Sequence, residues 1–162
     1  MNIVLDDVDE KCLFYYSPVK NTVMDNSIFT RLAYSNDIFS MNGVYIKANL
    51  TIFKTESYFN KSKYFFNYSE NKNQIDKLAD IEKMILEKAN IENVDILNKL
   101  YEQFMSKSIR VFNTEMLHNE NIEEKKKVDI IVKLSGIWNT ERCCGLTFKF
   151  FDINHQWKNT LE

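Results

Sequence analysis

Hydrophobic and polar residues alternate along several stretches of the chain, most clearly over residues 41–54. Aliphatic side chains occupy every second position from Val44 to Ile52, and polar or aromatic side chains occupy the positions between them. A period of two places the two sets on opposite faces of a β-strand. The same period predicts strands over residues 128–135 and 146–151. Shorter apolar runs predict further strands over residues 12–16, 28–34, 63–68 and 109–112.

The period changes to that of a helix between residues 70 and 107. Aliphatic residues recur at intervals of three and four from Ile75 to Ala89, and Asn73 is a suitable N-cap. A second amphipathic helix is predicted over residues 94–105, with Asn93 as its N-cap. The periodicities predict that the helices cover a curved antiparallel sheet, with a core that includes Leu97, Leu100, Phe104, Leu146, Phe148 and Phe150.

The order of the predicted elements is strands, then helices, then a hairpin of two strands joined by a loop at residues 136–145. Three strands, a helix and two strands is the order of an OB-fold. The sequence therefore predicts an α+β protein: an OB-like, partly open antiparallel β-barrel or curved sheet, with the helices between the third strand and the terminal hairpin. A generic α+β sandwich with helices on one face has the same order. Residues 1–162 are expected to form a single domain, because this length is ordinary for one.

Cysteine usage and the first residues of the chain favour an intracellular protein. No secretory signal is visible at the start, and no apolar stretch approaches the ~20 residues of a membrane span. Cys12, Cys143 and Cys144 are odd in number, so all three thiols are expected to be free. We expect the protein in the cytoplasm or nucleus of a host cell, with no membrane partner.

Side chains that support catalysis or bind a cofactor are scarce. His118 lies in a predicted polar loop and His155 near the C-terminus, and neither has an obvious nucleophile or carboxylate partner. Three glycines leave little scope for a phosphate-binding loop or a dinucleotide fingerprint, and the cysteines lack the spacing of a zinc site. The sequence therefore predicts no cofactor, no metal and no enzymatic activity.

Positive charge is concentrated in the predicted strands, although the net charge of the chain is −2. Residues 27–69 carry five basic and two acidic side chains, and residues 130–150 carry three and one. Basic and aromatic side chains interleaved on one sheet face suit single-stranded nucleic acid, because cations neutralise phosphates and rings stack on bases. The period of two predicts a shared solvent-facing surface of Arg31, Tyr45, Lys47, Lys133 and Lys149, flanked by Lys54, Lys61, Lys63 and Trp138.

Several aromatic residues of this predicted surface have an alternative interpretation. Phe29, Phe53 and Phe151 alternate in the same way as the basic residues, but they could instead pack beneath the helices as a second core. Trp138, in the predicted hairpin loop, could contact a base or fill the core.

Four short segments resemble a known group of proteins. They are residues 29–35 (FTRLAYS) with residues 41–45 (MNGVY), and residues 136–138 (GIW) with residues 145–150 (GLTFKF). Together they resemble single-stranded-DNA-binding proteins of large DNA viruses of insects and protists. The resemblance covers the two strand-rich blocks and implies an OB-like barrel that serves viral DNA replication.

The leading hypothesis is binding of single-stranded nucleic acid, with single-stranded DNA as the expected ligand. The alternative is a non-enzymatic protein-interaction or virion protein that uses the same aromatic face. Lysine on that face favours nucleic acid, since protein interfaces are depleted in lysine and phosphate grooves require it. A second copy of the chain or another protein is a further partner to consider.

Overall fold

The computed structural model describes residues 4–112 and 123–152 of the chain. His118 and His155 lie outside the described residues, as does most of the polar loop predicted before residue 128. In chain order the first six strands are β1 (Leu13–Tyr15), β2 (Val19–Lys20), β3 (Ile28–Ser35), β4 (Ser40–Asn42), β5 (Val44–Tyr58) and β6 (Lys61–Phe66). They are followed by helix α1 (Tyr68–Ala89), strand β7 (Asp95–Leu97), helix α2 (Lys99–Met105) and strands β8 (Ser108–Phe112), β9 (Lys126–Asn139) and β10 (Cys143–Asp152).

Five of these strands form a closed barrel, and the prediction of an α+β fold with a barrel is confirmed. Strand β5 pairs with β6, β6 with β8, β8 with β10, β10 with β9, and β9 with β5. The barrel strands therefore follow the order 4-1-2-3 of a Greek key, with the fifth strand between the fourth and the third. The helices lie between β6, which corresponds to the predicted third strand at residues 63–68, and the terminal hairpin of β9 and β10, as predicted. Strand β8 also belongs to the ring, however, so the helices follow the second strand of the barrel and not its third.

The prediction that all strands pair antiparallel is wrong at one joint of the ring. Strands β8 and β10 run parallel, and they pair only at Val111 with Phe150 and at Phe112 with Phe151. A ring of five strands cannot alternate in direction all the way round, so at least one neighbouring pair has to be parallel. Outside the ring, β7 also pairs parallel with β10.

The inner face of the barrel and the two helices share one apolar core. The aliphatic side chains of β5 from Val44 to Ile52 are buried, as the alternation predicts. Helix α1 begins at Tyr68, earlier than predicted, and its apolar stripe packs into the same core. Neither helix in the described part of the chain combines the length and hydropathy needed to span a membrane. Of the predicted core residues, Leu100, Phe104, Leu146 and Phe150 are buried, while Leu97 and Phe148 are half-buried.

The second predicted helix is shorter than expected, because residues 95–97 form strand β7 instead. Asp95 donates its backbone N–H to the carbonyl of Arg142 at 2.8 Å, which begins the parallel pairing with β10. Gly145 of β10 lies close to this strand: a Cβ there would lie 3.2 Å from the Leu97 carbonyl oxygen. A tertiary contact thus replaces the first turns of the predicted helix.

The start of α2 is held by a carboxylate from α1. Glu82 is fully buried, and its two oxygens accept the backbone N–H groups of Leu100 and Tyr101, both at 2.9 Å. The first N–H groups of a helix have no partner within the helix, so a carboxylate here completes the N-terminus of α2. Burial raises the pKa of Glu82, while the two N–H groups act to lower it.

The exposed edge of β5 is covered by groups from two other parts of the chain. Leu5 forms backbone hydrogen bonds with Tyr45 and Lys47, and the buried Asn71 of α1 accepts the Thr51 N–H at 2.7 Å. The Asn71 amide also donates to the Thr51 carbonyl at 2.9 Å. Unpaired backbone groups at a strand edge are costly when buried and promote aggregation when exposed. These contacts supply hydrogen-bond partners to the part of the β5 edge that β6 does not cover.

We expect Glu82→Ala to lower the free energy of unfolding by about 1–3 kcal/mol, because it leaves two buried N–H groups without an acceptor. Denaturant titration of both proteins measures the difference. The exposed Glu87→Ala on the same helix is the matched control and should change stability by less than about 0.5 kcal/mol.

The raised pKa of Glu82 means that the folded state binds the proton of this carboxyl more tightly than the unfolded state does. The contribution of Glu82 should therefore be largest below its unfolded-state pKa and decrease as the pH rises through its folded-state pKa. An Ala variant as stable as the wild type would contradict the assigned role.

Candidate nucleic-acid interface

A row of basic and aromatic side chains crosses the outer face of the barrel. Lys133 of β9 lies directly opposite Tyr45 of β5 on one side and Lys149 of β10 on the other. Directly opposed residues project from the same face of a sheet, so these three side chains are neighbours. The Lys133 ammonium lies 5.3 Å from the centroid of the Tyr45 ring. This arrangement is the centre of the predicted surface.

The row continues around the barrel through a residue that the sequence analysis missed. Arg110 of β8 lies opposite Lys63 of β6 and is exposed. A groove of about 380 Å³ between β8 and β10 is lined by Arg110, Lys63 and Lys149. The alternation of Ile109 and Val111 with Arg110 was visible in the sequence, but this strand is short and lies in an acidic block.

A second row, next to the first, is mainly aromatic. Phe112 of β8 lies opposite Lys61 and beside Phe151, and the two ring centroids are 5.8 Å apart. The ammonium groups of Lys61 and Lys149 lie 4.7 and 5.5 Å from the centroid of the Phe112 ring. Together the two rows form the basic–aromatic belt, which comprises Tyr45, Lys133, Lys149, Arg110, Lys63, Lys61, Phe112 and Phe151.

Two of the predicted lysines already have acidic partners. Lys47 forms an ion pair with Asp129 at 3.4 Å, and Lys54 forms one with Glu56 at 2.8 Å. The hydrogen bond from Lys54 lowers the pKa of Glu56 and raises that of Lys54. Within the described ranges, the cations of the basic–aromatic belt and Arg31 form no salt bridge. The cations of the belt therefore form no ion pair with a described side chain, although the carboxylate of Glu56 lies opposite Lys63.

The far end of the outer face holds Arg31, Phe29 and Trp138. Arg31 is exposed and lies opposite Gly136, while Trp138 lies between Phe29 and Gly145. Trp138 is part of strand β9, so its placement in a hairpin loop is wrong, and the loop is confined to residues 140–142. The half-buried indole lies close against Gly145, where a Cβ would come within 2.8 Å of the ring. Trp138 therefore borders the surface and also packs against the neighbouring strand.

The proposed second core beneath the helices does not form. Phe29, Phe53 and Phe151 lie outside the core cluster that contains the helix residues. Phe53 is exposed at a bulge in β5, and Phe151 contacts Phe112 in the basic–aromatic belt.

The hairpin turn between β5 and β6 presents two aromatic rings that the sequence analysis did not single out. Tyr58 and Phe59 are 59% and 83% exposed. Phe59 has a φ of 48°, a conformation that is unfavourable for a bulky side chain. Tyr58 lines a groove of about 270 Å³ together with Lys61, Lys63 and Arg110. The turn therefore extends the aromatic surface beside the cations of the belt.

Within residues 4–112 and 123–152, no group of three or more His, Cys, Asp or Glu side chains is arranged to hold a metal ion. All three cysteines lie in this part of the chain and are free thiols.

Comparisons with family models, curated proteins and solved structures gave no match to this chain.

We expect Gly136→Ala to lower the free energy of unfolding by about 1–3 kcal/mol. A Cβ at this position would lie 2.5 Å from the Thr30 carbonyl oxygen and would overlap the Phe29 ring, so the pairing of β3 with β9 would have to shift. Thermal or denaturant unfolding measures the loss. Thr147→Ala, on the strand position opposite Gly136, should have a smaller effect. Equal losses for the two variants would show that the close approach of β3 is not specific to the glycine.

Proposed function

We propose that this protein binds single-stranded nucleic acid along the basic–aromatic belt. The observation that carries the proposal is the row of cations without ionic partners among the described residues, interleaved with aromatic rings on the outer face of a closed barrel. Cations on such a face neutralise phosphates, and the rings stack on bases. We propose a binding role without catalysis.

The aromatic rings of this face, of which Tyr58 and Phe59 are exposed and Tyr45 is half-buried, favour a single strand over a duplex. The bases of a duplex are stacked on one another, whereas those of a single strand are available to Tyr45 and to Tyr58 and Phe59 at the hairpin turn. Stacking on aromatic side chains is worth roughly 1–3 kcal/mol for each base and tolerates any sequence. We therefore expect little dependence on base sequence.

The barrel supports an OB-like interpretation of the fold. OB-folds are five-stranded Greek-key barrels that bind oligonucleotides on the face of their second and third strands. Here these strands are β6 and β8, which carry Lys61, Lys63, Arg110 and Phe112. The helices follow the second strand of the barrel, whereas the OB-fold order of three strands, a helix and two strands has the helix after the third.

The resemblance to viral single-stranded-DNA-binding proteins supports DNA as the ligand and viral replication as the setting. The segments that carry it contribute Arg31, Tyr45, Trp138 and Lys149 to the outer face of β3, β5, β9 and β10. We propose on this basis an intracellular protein that covers single-stranded DNA during replication in a host cell.

A role in protein interaction is the second candidate function, and the sheet formed by β1, β3 and β4 favours it. Phe14 and Tyr16 are 53% and 55% exposed beside a groove of about 450 Å³ that also includes Met41. No lysine lines this groove within the described residues, which is typical of a protein interface. This surface could bind a partner while the belt binds nucleic acid.

We expect the wild-type protein to bind a fluorescent oligothymidylate at low ionic strength and to lose affinity as salt increases. Lys133→Ala and Lys149→Ala should each weaken binding and reduce the slope of log K against log salt by roughly one unit per lost phosphate contact. Tyr45→Ala should cost about 1–3 kcal/mol of binding without changing that slope. Lys83→Ala on α1 is the control and should bind as the wild type does. Binding that is absent in the wild type, or insensitive to salt, would refute the proposed function.

Removal of an acidic group from the same face should strengthen binding. Glu56 lies opposite Lys63 and forms an ion pair with Lys54, so Glu56→Gln releases one cation and removes one repulsive charge. We expect oligonucleotide affinity to increase roughly two- to five-fold at low salt, the range of an exposed ion pair. Glu87→Gln, which removes the partner of Lys83 on α1, should leave affinity unchanged. Weaker binding by Glu56→Gln would argue against a phosphate path over β5 and β6.

A further inference from the structure

The groove between β8 and β10 exists because the two strands separate below their short joint. They pair only at residues 111 and 112 of β8, whereas Ser108, which still pairs with Phe65 of β6, directs its carbonyl to α2 and its C-cap. The Ser108 carbonyl accepts the Gln103 side-chain amide at 2.9 Å and the Ser106 hydroxyl at 3.1 Å. At Ser108, hydrogen bonds to Gln103 and Ser106 thus take the place of pairing between β8 and β10.

The groove has an aromatic side and a cationic side. Phe148, which packs against the core, and Phe150 line it from β10, while Arg110, Lys63 and Lys149 line it with positive charge. Its volume of about 380 Å³ falls in the range of small-ligand pockets, roughly 300–1,000 Å³. Ser108 and Gln103 place polar groups on the remaining wall.

We infer that this groove receives one unstacked nucleotide of a bound single strand, with its base against Phe148 and its phosphate between Arg110 and Lys149. The inference rests on the proposed function and adds a defined subsite to it. An aromatic wall beside three cations is complementary to a flat base joined to a phosphate. A base paired within a duplex cannot enter, so the groove selects for single strands.

Filling the groove without removing a cation tests the subsite. Ser108 projects from the same face of β8 as Arg110, so Ser108→Tyr places a ring in the groove and retains every charge. We expect affinity for an oligothymidylate of about 12 nucleotides to decrease by roughly 5- to 150-fold, the equivalent of one lost stacking contact. The salt slope should stay unchanged, and so should affinity for heparin, a polyanion without bases. The matched control is Ser69→Tyr on α1, which should bind the oligomer as the wild type does.

A second variant keeps the test decisive if Ser108→Tyr folds poorly. Phe148→Leu removes the ring but retains an apolar side chain, and it should weaken oligomer binding while heparin binding persists. Unfolding curves of both variants establish that each is folded before affinities are compared. Agreement between the two variants supports the subsite.

Each remaining outcome has a separate meaning. If the wild type shows no salt-dependent oligomer binding, the proposed function fails, and the inference fails with it. If the wild type binds but the folded variants bind the oligomer equally well, or lose heparin and oligomer alike, the subsite alone is overturned. If thymidine monophosphate binds the wild type more tightly than the oligomer does, the groove is a site for free nucleotides and the inference is overturned as well.

Discussion

Closure of five strands into a ring is the constraint on which the surface of this protein depends. Once each strand has two hydrogen-bonded neighbours, alternate side chains along it point into the core and out to the outer face. The register of β9 with β5 and β10 then places Tyr45, Lys133 and Lys149 side by side, far apart though they are in sequence. The odd number of strands also requires a parallel joint, and the groove lies where that joint ends. The arrangement of charge and the opening beside it therefore have a common geometric origin.

The cations of the outer face are stabilised in a way that leaves their charge available. Lys61, Lys133 and Lys149 each lie within about 6 Å of an aromatic ring, a contact that attracts a cation without neutralising it. Lys47 instead forms an ion pair with Asp129 of β9, and Lys54 forms one with Glu56 of its own strand while also lying 5.3 Å from the Phe65 ring. The protein thus has lysines whose charge is paired with a carboxylate and lysines whose charge is available to solvent, although its net charge is negative.

The sequence was informative where one face of an element lies in the core and the other in solvent. This holds for β5 and for α1, whose apolar stripes were predicted from their periods. It failed where tertiary contacts decide: Leu97 fits a helical stripe, but residues 95–97 pair with β10 because Gly145 permits a close approach. The ion pair between Lys47 and Asp129 depends on strand register, which a single sequence does not specify. The alternation of Ile109 and Val111 with Arg110 does indicate an outward-facing Arg110, but the strand is short and acidic residues follow it in the sequence.

The buried side chain of Asn71 has a consequence for how the first helix can sit on the barrel. Its amide both accepts from and donates to the backbone of Thr51, and it also donates to the carbonyl of Asn67. Along a strand, the N–H and C=O of one residue point to the same edge, and those of its neighbours point to the opposite edge. If the helix were displaced by one residue along β5, the Asn71 amide would face a residue whose N–H and C=O both point to the other edge of the strand, and neither hydrogen bond could form. Asn71 thus fixes the position of α1 along β5. Aspartate could not replace it because an ionised carboxylate has no donor, and leucine could not because its side chain has no polar atom.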